Sequence, residues 1–510
     1  MKKWALIAIL YCMQVSGVFA NDILISNISL VNRNKSTDIV FVQFDLSWQN
    51  SFRTSSGSAN WDAAWVFVKY RIGETGEWKH ATLNNGGHTI PSGTATTQTD
   101  GTGLFFYRDT DGTGTFSKSG IELRWNYGTD GVADDSKIYV KVFAVEMVYI
   151  PSGEFQLGSG SQTEGGFRIA NDVSTSGTAT TFTITSSSPT LQGNNSSSSA
   201  SNLSTHDGIS LDLAQTTNTA TLASGFPTGH GAFYSMKYEI SQGQYRDFLN
   251  TLTYTQQASR TANAPNSLVG TGALISSGTD RNGIEISTSG TNSTIPAVYG
   301  CDLNNNGTYD ESDDGEWIAC NYLSWEDVAA YLDWAALRPI TELEYEKLGR
   351  GTVLPVTDEY SWGNTTLTGL TAISGARQNN ESSNTTNANA VHDNLYVDGP
   401  VRVGIFAITT SNRTEAGSGY YGVMELSGNV WEQLITIGNS TGRSFTGLPG
   451  NGVLSTAGLA DTANWPDNTG TGKRGGSWQS SAVRLRTSDR FSATVGSASR
   501  DGETGGRGGR

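Results

Sequence analysis

One stretch of twelve residues, 302–313, places oxygen-bearing side chains at a spacing that suits a hard cation. Asp or Asn occupies its first, third and fifth positions, Gly307 occupies the sixth, and an aspartate closes it at the twelfth. Calcium takes about six to eight oxygen ligands, and a glycine at the sixth position permits the sharp turn that gathers them. The predicted ligands are Asp302, Asn304, Asn306, the backbone carbonyl of Thr308, Asp310 directly or through water, and Asp313.

The surroundings of this stretch differ from those of an EF-hand, because the flanking helices are missing and two cysteines bracket the loop. Cys12 lies in the predicted leader described below, so two cysteines would remain in the exported chain, and an even number favours a disulfide. Cys301 and Cys320 are therefore predicted to pair and hold the loop ends. The alternative is two free buried thiols. Asp313 in place of the usual glutamate resembles a dockerin loop and predicts weaker closure. The alternative for the whole loop is a solvated acidic turn.

Other common chemistries lack the residues that they need. The five histidines are scattered and form no i, i+4 pair, which argues against a zinc hydrolase. No phosphate-binding loop and no nucleophile elbow is present. The net charge of −15 argues against nucleic acid as a partner, because phosphate binding needs a basic surface, and it favours solubility or cation binding.

Two motifs near the C-terminal end point to a known family. They read Gly422-Val-Met-Glu-Leu-Ser-Gly-Asn-Val-Trp-Glu432 and Lys473-Arg-Gly-Gly-Ser-Trp478. The pair resembles the formylglycine-generating enzymes, or sulfatase-modifying factors. Further landmarks of the family follow its order at residues 146–158, 233–249, 321–351, 360–363, 387–389 and 399–406. The resemblance implies an α+β, C-type-lectin-like fold with long insertions.

The resemblance also implies which residues would be catalytic, and the family's catalytic cysteine pair is missing from this chain. In the family two cysteines follow the Gly-Gly-Ser-aromatic motif, but residues 479–486 contain no cysteine. Ser480 stands near the first cysteine position, where a hydroxyl neither ionises like a thiol nor binds copper. The final residues, 504–510, replace the family's Gly-Phe-Arg, and loss of the phenylalanine predicts a frayed tail.

A second calcium site is implied by the same resemblance, beside the Gly-Asn-x-Trp-Glu motif. Its predicted ligands are Ser427, Gly428, Val430 and Glu432. The alternative for Glu432 is a core carboxylate that backbone amides satisfy. The arginines at 474, 484, 486 and 490 follow the family's arginine-rich stretch and are interpreted as ion-pairing and hydrogen-bonding groups within a loop-rich fold.

The elements that must position these residues divide the chain into three parts. Residues 1–20 have the basic start, apolar run and small-residue end of a signal peptide cleaved near Ala20. Residues 21–145 show the alternation of half-buried strands and predict an immunoglobulin- or fibronectin-like β-sandwich. Residues 146–510 are predicted to form the family domain, with insertions at about 159–230 and 253–320, and its helices are expected to begin at the cap-spaced residues Ser241, Ser324 and Thr341. A predicted strand, 137–145, continues directly into residue 146, so we expect the connection between the β-sandwich and the family domain to be short and stiff.

Together these features predict a non-catalytic, calcium-stabilised binding or structural protein, either secreted or at the cell surface. Its partner would be a protein, a glycan or further copies of itself, and no segment after the leader is apolar enough to be transmembrane. One alternative is a variable ligand-recognition module whose binding face lies in residues 479–510. The other is an oxidoreductase of the parent family, which would require Cys301 and Cys320 to lie beside Trp478.

Overall fold

The computed structural model covers most of the chain, and its helices and strands are given below within the residues that it describes. Those residues are 23–98, 100–159, 166–169, 181–185, 191–192, 209–210, 221–276, 278–291, 293–408 and 410–510. The predicted signal peptide and most of the predicted insertion at 159–230 lie outside them. Within them, every helix is too short or too polar to cross a bilayer.

The N-terminal region is rich in strands, which form two sheets around a shared core. The strands are β1 (Leu24–Asn34), β2 (Ile39–Arg53), β3 (Asp62–Ile72), β4 (Lys79–His80), β5 (Thr94–Gln98), β6 (Leu104–Arg108), β7 (Gly112–Asn126) and β8 (Ile138–Ile150). One sheet has the order β1-β2-β7, and the other contains β3 to β6 and β8. The predicted alternation along β2 is confirmed, because Val42, Phe44, Leu46 and Trp48 are all buried in the core between the sheets. The relation to immunoglobulin or fibronectin domains stays a prediction.

The rest of the chain has mixed α and β content and short elements. Its strands are β9 (Phe155–Leu157), β10 (Arg168–Ile169), β11 (Phe182–Ile184), β12 (Leu191–Gln192), β13 (Ile209–Ser210), β14 (Phe233–Met236), β15 (Ile284–Thr288), β16 (Val298–Cys301), β17 (Arg338–Pro339), β18 (Ile373–Ser374), β19 (Ser382–Ser383), β20 (Trp431–Ile435), β21 (Thr471–Arg474), β22 (Thr504–Gly506) and β23 (Gly508–Gly509). The helices are α1 (Gln242–Leu249), α2 (Tyr254–Arg260), α3 (Trp325–Trp334), α4 (Glu342–Arg350) and α5 (Ser440–Arg443). Short 3-10 helices cover Thr279–Arg281, Asn468–Gly470 and Ala482–Leu485.

Side-chain caps fix where the main helices begin, as their sequences predict. Ser241, Ser324 and Thr341 each accept a hydrogen bond from the third helical residue, whose own side chain bonds back to the cap. Such reciprocal caps satisfy backbone donors that have no partner inside the helix. Helix α4 ends at Gly351, which has a positive φ of 71°. The predicted insertion at 253–320 packs into the protein, because Ile284, Ile286 and Tyr299 are buried in the largest core cluster.

The junction between the two regions is a continuous β-sheet. The order of this sheet is β17-β23-β14-β8-β3-β6-β5, so strands of the family domain and of the N-terminal region share one hydrogen-bonded ladder. Strand β8 pairs with β3 along its length, and its last four residues also pair with β14. The predicted boundary near residue 145 therefore falls inside a strand, and the stiffness of the junction stays a prediction that this shared strand supports.

The C-terminal tail is part of the fold, so the expectation of a frayed end is wrong. Strand β22 pairs with β20, and β23 pairs with both β14 and β17. The glycines that replace the bulkier family residue allow this close approach. A Cβ atom on Gly505 would lie 2.6 Å from Cγ2 of Val430 and 2.7 Å from the carbonyl oxygen of Cys320.

We expect Gly505→Ala to lower the free energy of unfolding by about 1–3 kcal/mol, because overfilling a packed site forces its neighbours apart. Urea unfolding of the variant would measure this change. Gly231→Ala is a suitable control, since an added Cβ there meets no atom within 4 Å. Equal stability of the two variants would contradict the tight packing of the tail.

Candidate functional site

The acidic loop after β16 is organised by its own short polar side chains. Asp302 accepts hydrogen bonds from the backbone N–H groups of Asn306 and Gly307, at 3.0 and 2.8 Å. The side chain of Asn304 accepts a second bond from Asn306 N, at 2.9 Å, and that of Asn306 accepts from Thr308 N, at 2.7 Å. These bonds fix the side chains at positions one, three and five, and Gly307 turns the backbone with a φ of 80°.

The two ends of the loop meet, which brings the third and twelfth positions together. The amide of Asn304 donates to Oδ1 of Asp313 at 3.1 Å. Glu311, Asp313 and Asp314 each present one carboxylate oxygen, and these three atoms lie within 4.8 Å of one another. Among the described residues, this is the only group of three histidine, cysteine or acidic side chains that could gather around one ion in this way. Sequence reasoning missed Glu311 and Asp314, because they lie outside the alternating positions.

Asp314 carries a buried oxygen for which the described residues supply no donor. Its Oδ2 accepts from the backbone of Glu311 at 2.8 Å, whereas its Oδ1 is buried and has no hydrogen-bond partner. Burial raises the pKa of Asp314 to about 6, since a carboxylate away from water favours its neutral form. A cation at this position would supply the missing partner.

Asp310, a predicted ligand, is turned away from the other acidic side chains. Its Oδ1 accepts from the backbone N–H of Cys301 at 2.9 Å and also from the guanidinium of Arg246 on α1. This ion pair ties the loop to the helix. The structure therefore supports Asp310 as a residue that anchors the loop, while its predicted role as a ligand stays a prediction.

Cys301 and Cys320 are separate buried thiols in the structure, so the predicted disulfide is absent from it. Backbone contacts hold the loop ends instead, since Cys301 pairs with Ile284 in the β15–β16 ladder and its carbonyl accepts from Asp310 N at 2.9 Å. Burial raises the pKa of both thiols well above the ordinary value. They belong to the largest core cluster, whereas Trp478 belongs to a different one, so the structure does not bring them to the motif.

The second predicted calcium site contains more carboxylates than the sequence indicated. Glu432 is buried, and its Oε1 accepts from Nε of Arg507 at 2.6 Å. Glu239 accepts from the backbone of Val430 at 3.2 Å, and Glu425 accepts from the backbone of Gly404 at 2.9 Å. The sequence analysis missed Glu239 because it is distant in sequence from Glu432. It missed Glu425 because that position of the motif had no predicted role.

The three buried glutamates share one guanidinium and perturb one another. Burial raises the pKa of Glu239, Glu425 and Glu432, and for Glu239 the charges of the other two add to the effect. The pKa of Glu425 rises to about 7. One oxygen of Glu425 and one of Glu432 are buried without a hydrogen-bond partner among the described residues. When all three glutamates are ionised, they carry more negative charge than the guanidinium of Arg507 offsets, and a cation would supply the difference.

The other residues predicted for this site take part in backbone structure. Oγ of Ser427 donates to the carbonyl of Leu485 at 2.7 Å, and the N–H of Gly428 donates to the carbonyl of Gly475 at 2.8 Å. These bonds hold the Gly-Asn-x-Trp-Glu motif against the Gly-Gly-Ser-Trp loop. Through these bonds the motif has a structural role that does not require a bound ion.

The loop that carries the catalytic cysteines in the family is closed here by hydroxyl groups. Oγ of Ser477 and Oγ of Ser480 lie 2.9 Å apart, and Ser477 also donates to Glu503. The backbone of Ser480 accepts from Asp393 N at 3.0 Å, while the indole of Trp478 donates to the carbonyl of Gly502 at 2.9 Å. The family position is therefore occupied by a small hydrogen-bonded network.

The arginines of the C-terminal stretch form ion pairs, as the sequence predicts. Arg474 and Arg490 both contact Glu342, and Arg474 also contacts Glu346. All four side chains are fully buried. The other two form partly exposed pairs, Arg484 with Asp489 and Arg486 with Asp358.

Comparison with known proteins identifies the larger region. The model of the family described as sulfatase-modifying factor enzyme 1-like domain matches residues 224–505, which is more than half of the chain. No curated protein matches the sequence. The match covers the capped helices, the acidic loop, the buried glutamates and the closed serine loop described above. The chain therefore belongs to the formylglycine-generating enzyme, or sulfatase-modifying factor, family.

Proposed function

We propose that this chain is a non-catalytic binding or structural protein, stabilised by calcium and exported to the cell surface or the surrounding medium. The serine network at the family's cysteine position supports the absence of the parent oxidation chemistry, since neither hydroxyl is a redox group. The leader-like first twenty residues support export. Its partner would be a protein, a glycan or another copy of the chain.

The observation that carries the calcium proposal is the acidic loop. Its side chains at positions one, three and five are held by the turn, and the third and twelfth positions meet at 3.1 Å. Asp302, Asn304, Asn306 and Asp313 would hold the ion, with the carbonyl of Thr308. Calcium favours such a set of carboxylate, amide and carbonyl oxygens. The buried oxygen of Asp314 without a donor fits the same interpretation.

A second ion is proposed beside Glu432, and Glu239 and Glu425 would contribute charge from further away, because their carboxylate oxygens do not converge on one point as those of the acidic loop do. Two carboxylate oxygens without donors and one shared arginine describe a site that lacks positive charge. Leaving an ionised carboxylate buried and unpaired is costly, and a bound cation removes that cost. Calcium would act as a structural ion in both sites, because the first would hold the two ends of the acidic loop together and the second would join the motif at Glu432 to residues distant along the chain.

The test is thermal unfolding of the chain from Asn21 to Arg510, with calcium and with a chelator, together with calorimetric titration of calcium. Calcium at about one hundred times its dissociation constant adds about 2.7 kcal/mol to the free energy of unfolding, so chelation should lower the melting temperature clearly. In Asp302→Ala the titration should lose the loop ion and much of the effect of the chelator.

Asp109→Ala is the matched control, because Asp109 is an exposed aspartate of a surface turn in the N-terminal region. It should respond to the chelator like the wild type. Glu432→Gln should remove the second ion from the titration and leave the first. An unchanged melting temperature of the wild type on chelation would refute the role of calcium.

A further inference from the structure

The outer end of the large sheet carries a group of basic side chains on one face. Lys69 of β3 lies opposite Lys141 of β8 and opposite His80 of β4. Two residues further along β3, on the same face, Arg71 lies opposite Tyr139 of β8. Arg71 and Lys141 are therefore diagonal neighbours on adjacent strands, where long side chains can reach a common point. They lie on strands of the N-terminal region, and Lys141 is close to Arg246 and Asp247 of α1.

Trp78, just before β4, joins the two cations. The guanidinium carbon of Arg71 lies 4.8 Å from the centre of the Trp78 ring, and Nζ of Lys141 lies 5.1 Å from it. Arg71 also lies 5.0 Å from the centre of the Tyr139 ring. All four side chains are half-buried. The aromatic rings hold the two cations side by side and partly shield them from water.

Neither cation forms an ion pair within the described part of the chain, although Glu74 and Asp247 lie near enough to interact electrostatically with Arg71 and Lys141 respectively. Arg71 and Lys141 form no ion pair and no hydrogen bond with any residue that the structure describes, and Nε of Arg71 is buried without a partner. By contrast, Nζ of Lys69, two residues before Arg71 on β3, donates hydrogen bonds to the carbonyls of Trp334 and Gly452 at 2.7 and 2.6 Å. The chain has 48 acidic and 33 basic residues, so the lack of ion pairs at Arg71 and Lys141 does not result from a shortage of carboxylates in the chain.

The acidic residues nearby are already engaged. Glu74 accepts from Lys137 and Tyr139 at 2.7 and 3.1 Å. Asp247 of α1 pairs with Arg246 at 2.9 Å. Burial lowers the pKa of Lys141, and the charges of Arg246 and Arg71 lower it further, while Asp247 acts in the opposite direction. Glu74 and Asp247 are therefore ion-paired with other cations, and Arg71 and Lys141 stay without an ion pair among the described residues.

We propose that Arg71 and Lys141 form a binding site for an oxyanion, a sulfate or carboxylate that is either free or carried by an acidic polysaccharide. The planar guanidinium donates parallel hydrogen bonds to such groups, and the ammonium adds a point charge. Partial burial strengthens both interactions relative to an exposed surface pair. The bound anion would also satisfy Nε of Arg71. This site is remote in sequence from the acidic loop, and none of the proposed calcium ligands belongs to it.

The experiment is calorimetric titration of the chain from Asn21, with calcium present, using sodium sulfate, dextran sulfate and uncharged dextran as probes. We expect binding of the sulfated polymer, and Arg71→Gln and Lys141→Gln should each weaken it about tenfold, as loss of one charge-assisted contact predicts. Binding of inorganic sulfate with the same dependence on Arg71 would identify a free anion as the ligand, whereas binding of the polymer alone would identify the polysaccharide.

Lys79→Gln is the matched control, because Lys79 is exposed on β4 and its substitution changes the net charge equally. Its affinity should change by about twofold or less, since exposed charges contribute little. Absence of binding to both anionic probes would overturn the proposal. So would equal weakening in Lys79→Gln and Arg71→Gln, which would indicate diffuse attraction. Unchanged melting temperatures of the variants would confirm that folding is intact.

Discussion

Glu342→Gln is expected to lower the free energy of unfolding by about 3–5 kcal/mol, the usual effect of removing one partner from a buried ion pair. Glu342 accepts from Arg490 Nε at 2.8 Å, from Arg474 at 3.3 Å and from the backbone of Ile437 at 2.8 Å. The substitution keeps the shape of the side chain and removes its charge. Two guanidinium groups would then remain buried with too little negative charge, and urea unfolding would measure the loss.

The control for this prediction is Glu326→Gln, which makes the same change in the first turn of α3. Glu326 pairs with Arg260 at 3.1 Å, but its side chain is 63% exposed, so solvent screens the interaction. We expect little change in stability. If Glu342→Gln unfolded at the same urea concentration as Glu326→Gln, the buried network would not be what holds the arginine-rich stretch in place.

The pH dependence of Glu342 supplies a second measurement. Burial alone would raise its pKa, but Arg490 and Arg474 outweigh burial, so the pKa lies below the ordinary value of 4.5. The unfolded state then binds the proton more readily, and the stabilisation is present above pH 4.5 and lost as the pH falls through the pKa of the folded state. Glu342→Gln should therefore flatten the acid limb of the stability profile.

Lys237→Met should destabilise the protein by a similar amount, about 3–5 kcal/mol, because it removes the cation at the centre of the domain junction. Nζ of Lys237 lies 3.4 Å from Asp62 of the N-terminal region and 3.3 Å from Glu146 of β8. All three side chains are buried. Methionine fills similar space but leaves both carboxylates without that charge, and thermal unfolding monitored in each region would report the effect.

Lys137→Met serves as the comparison, since Lys137 also pairs with a glutamate, Glu74, but on an exposed surface. No measurable loss of stability is expected there. In Lys237→Met the two regions should still unfold together, because their shared sheet remains. Separate transitions in the wild type would instead show that the regions are energetically independent.

Local patterns in the sequence predicted local structure well. The alternation along β2 and the caps at Ser324 and Thr341 depend on residues a few positions apart, and the structure contains all of them. The turn of the acidic loop follows from the same short-range chemistry. A hydrogen bond from a side chain to a backbone N–H two to five residues away needs no distant partner, so the sequence contains the whole cause.

Contacts between distant segments were harder to predict. Glu239 and Glu425 meet Glu432 only because β14, the segment before β20 and the tail converge. The pairing of Cys301 with Cys320 was inferred from their number and position, but the geometry that decides a disulfide depends on how the fold places the two segments that carry them. The tail was expected to fray because a large apolar residue is missing, whereas its glycines permit closer backbone pairing.

The shared sheet has a mechanical consequence. Strand β8 is bonded to β3 from Ile138 to Val148 on one side and to β14 from Met147 to Ile150 on the other, so one length of backbone serves both regions. Tension applied along β8 would act in shear on the backbone hydrogen bonds between the antiparallel strands β3 and β8, so these bonds would resist it together. A ligand held at one end and an anchor at the other would keep a fixed separation and orientation under load.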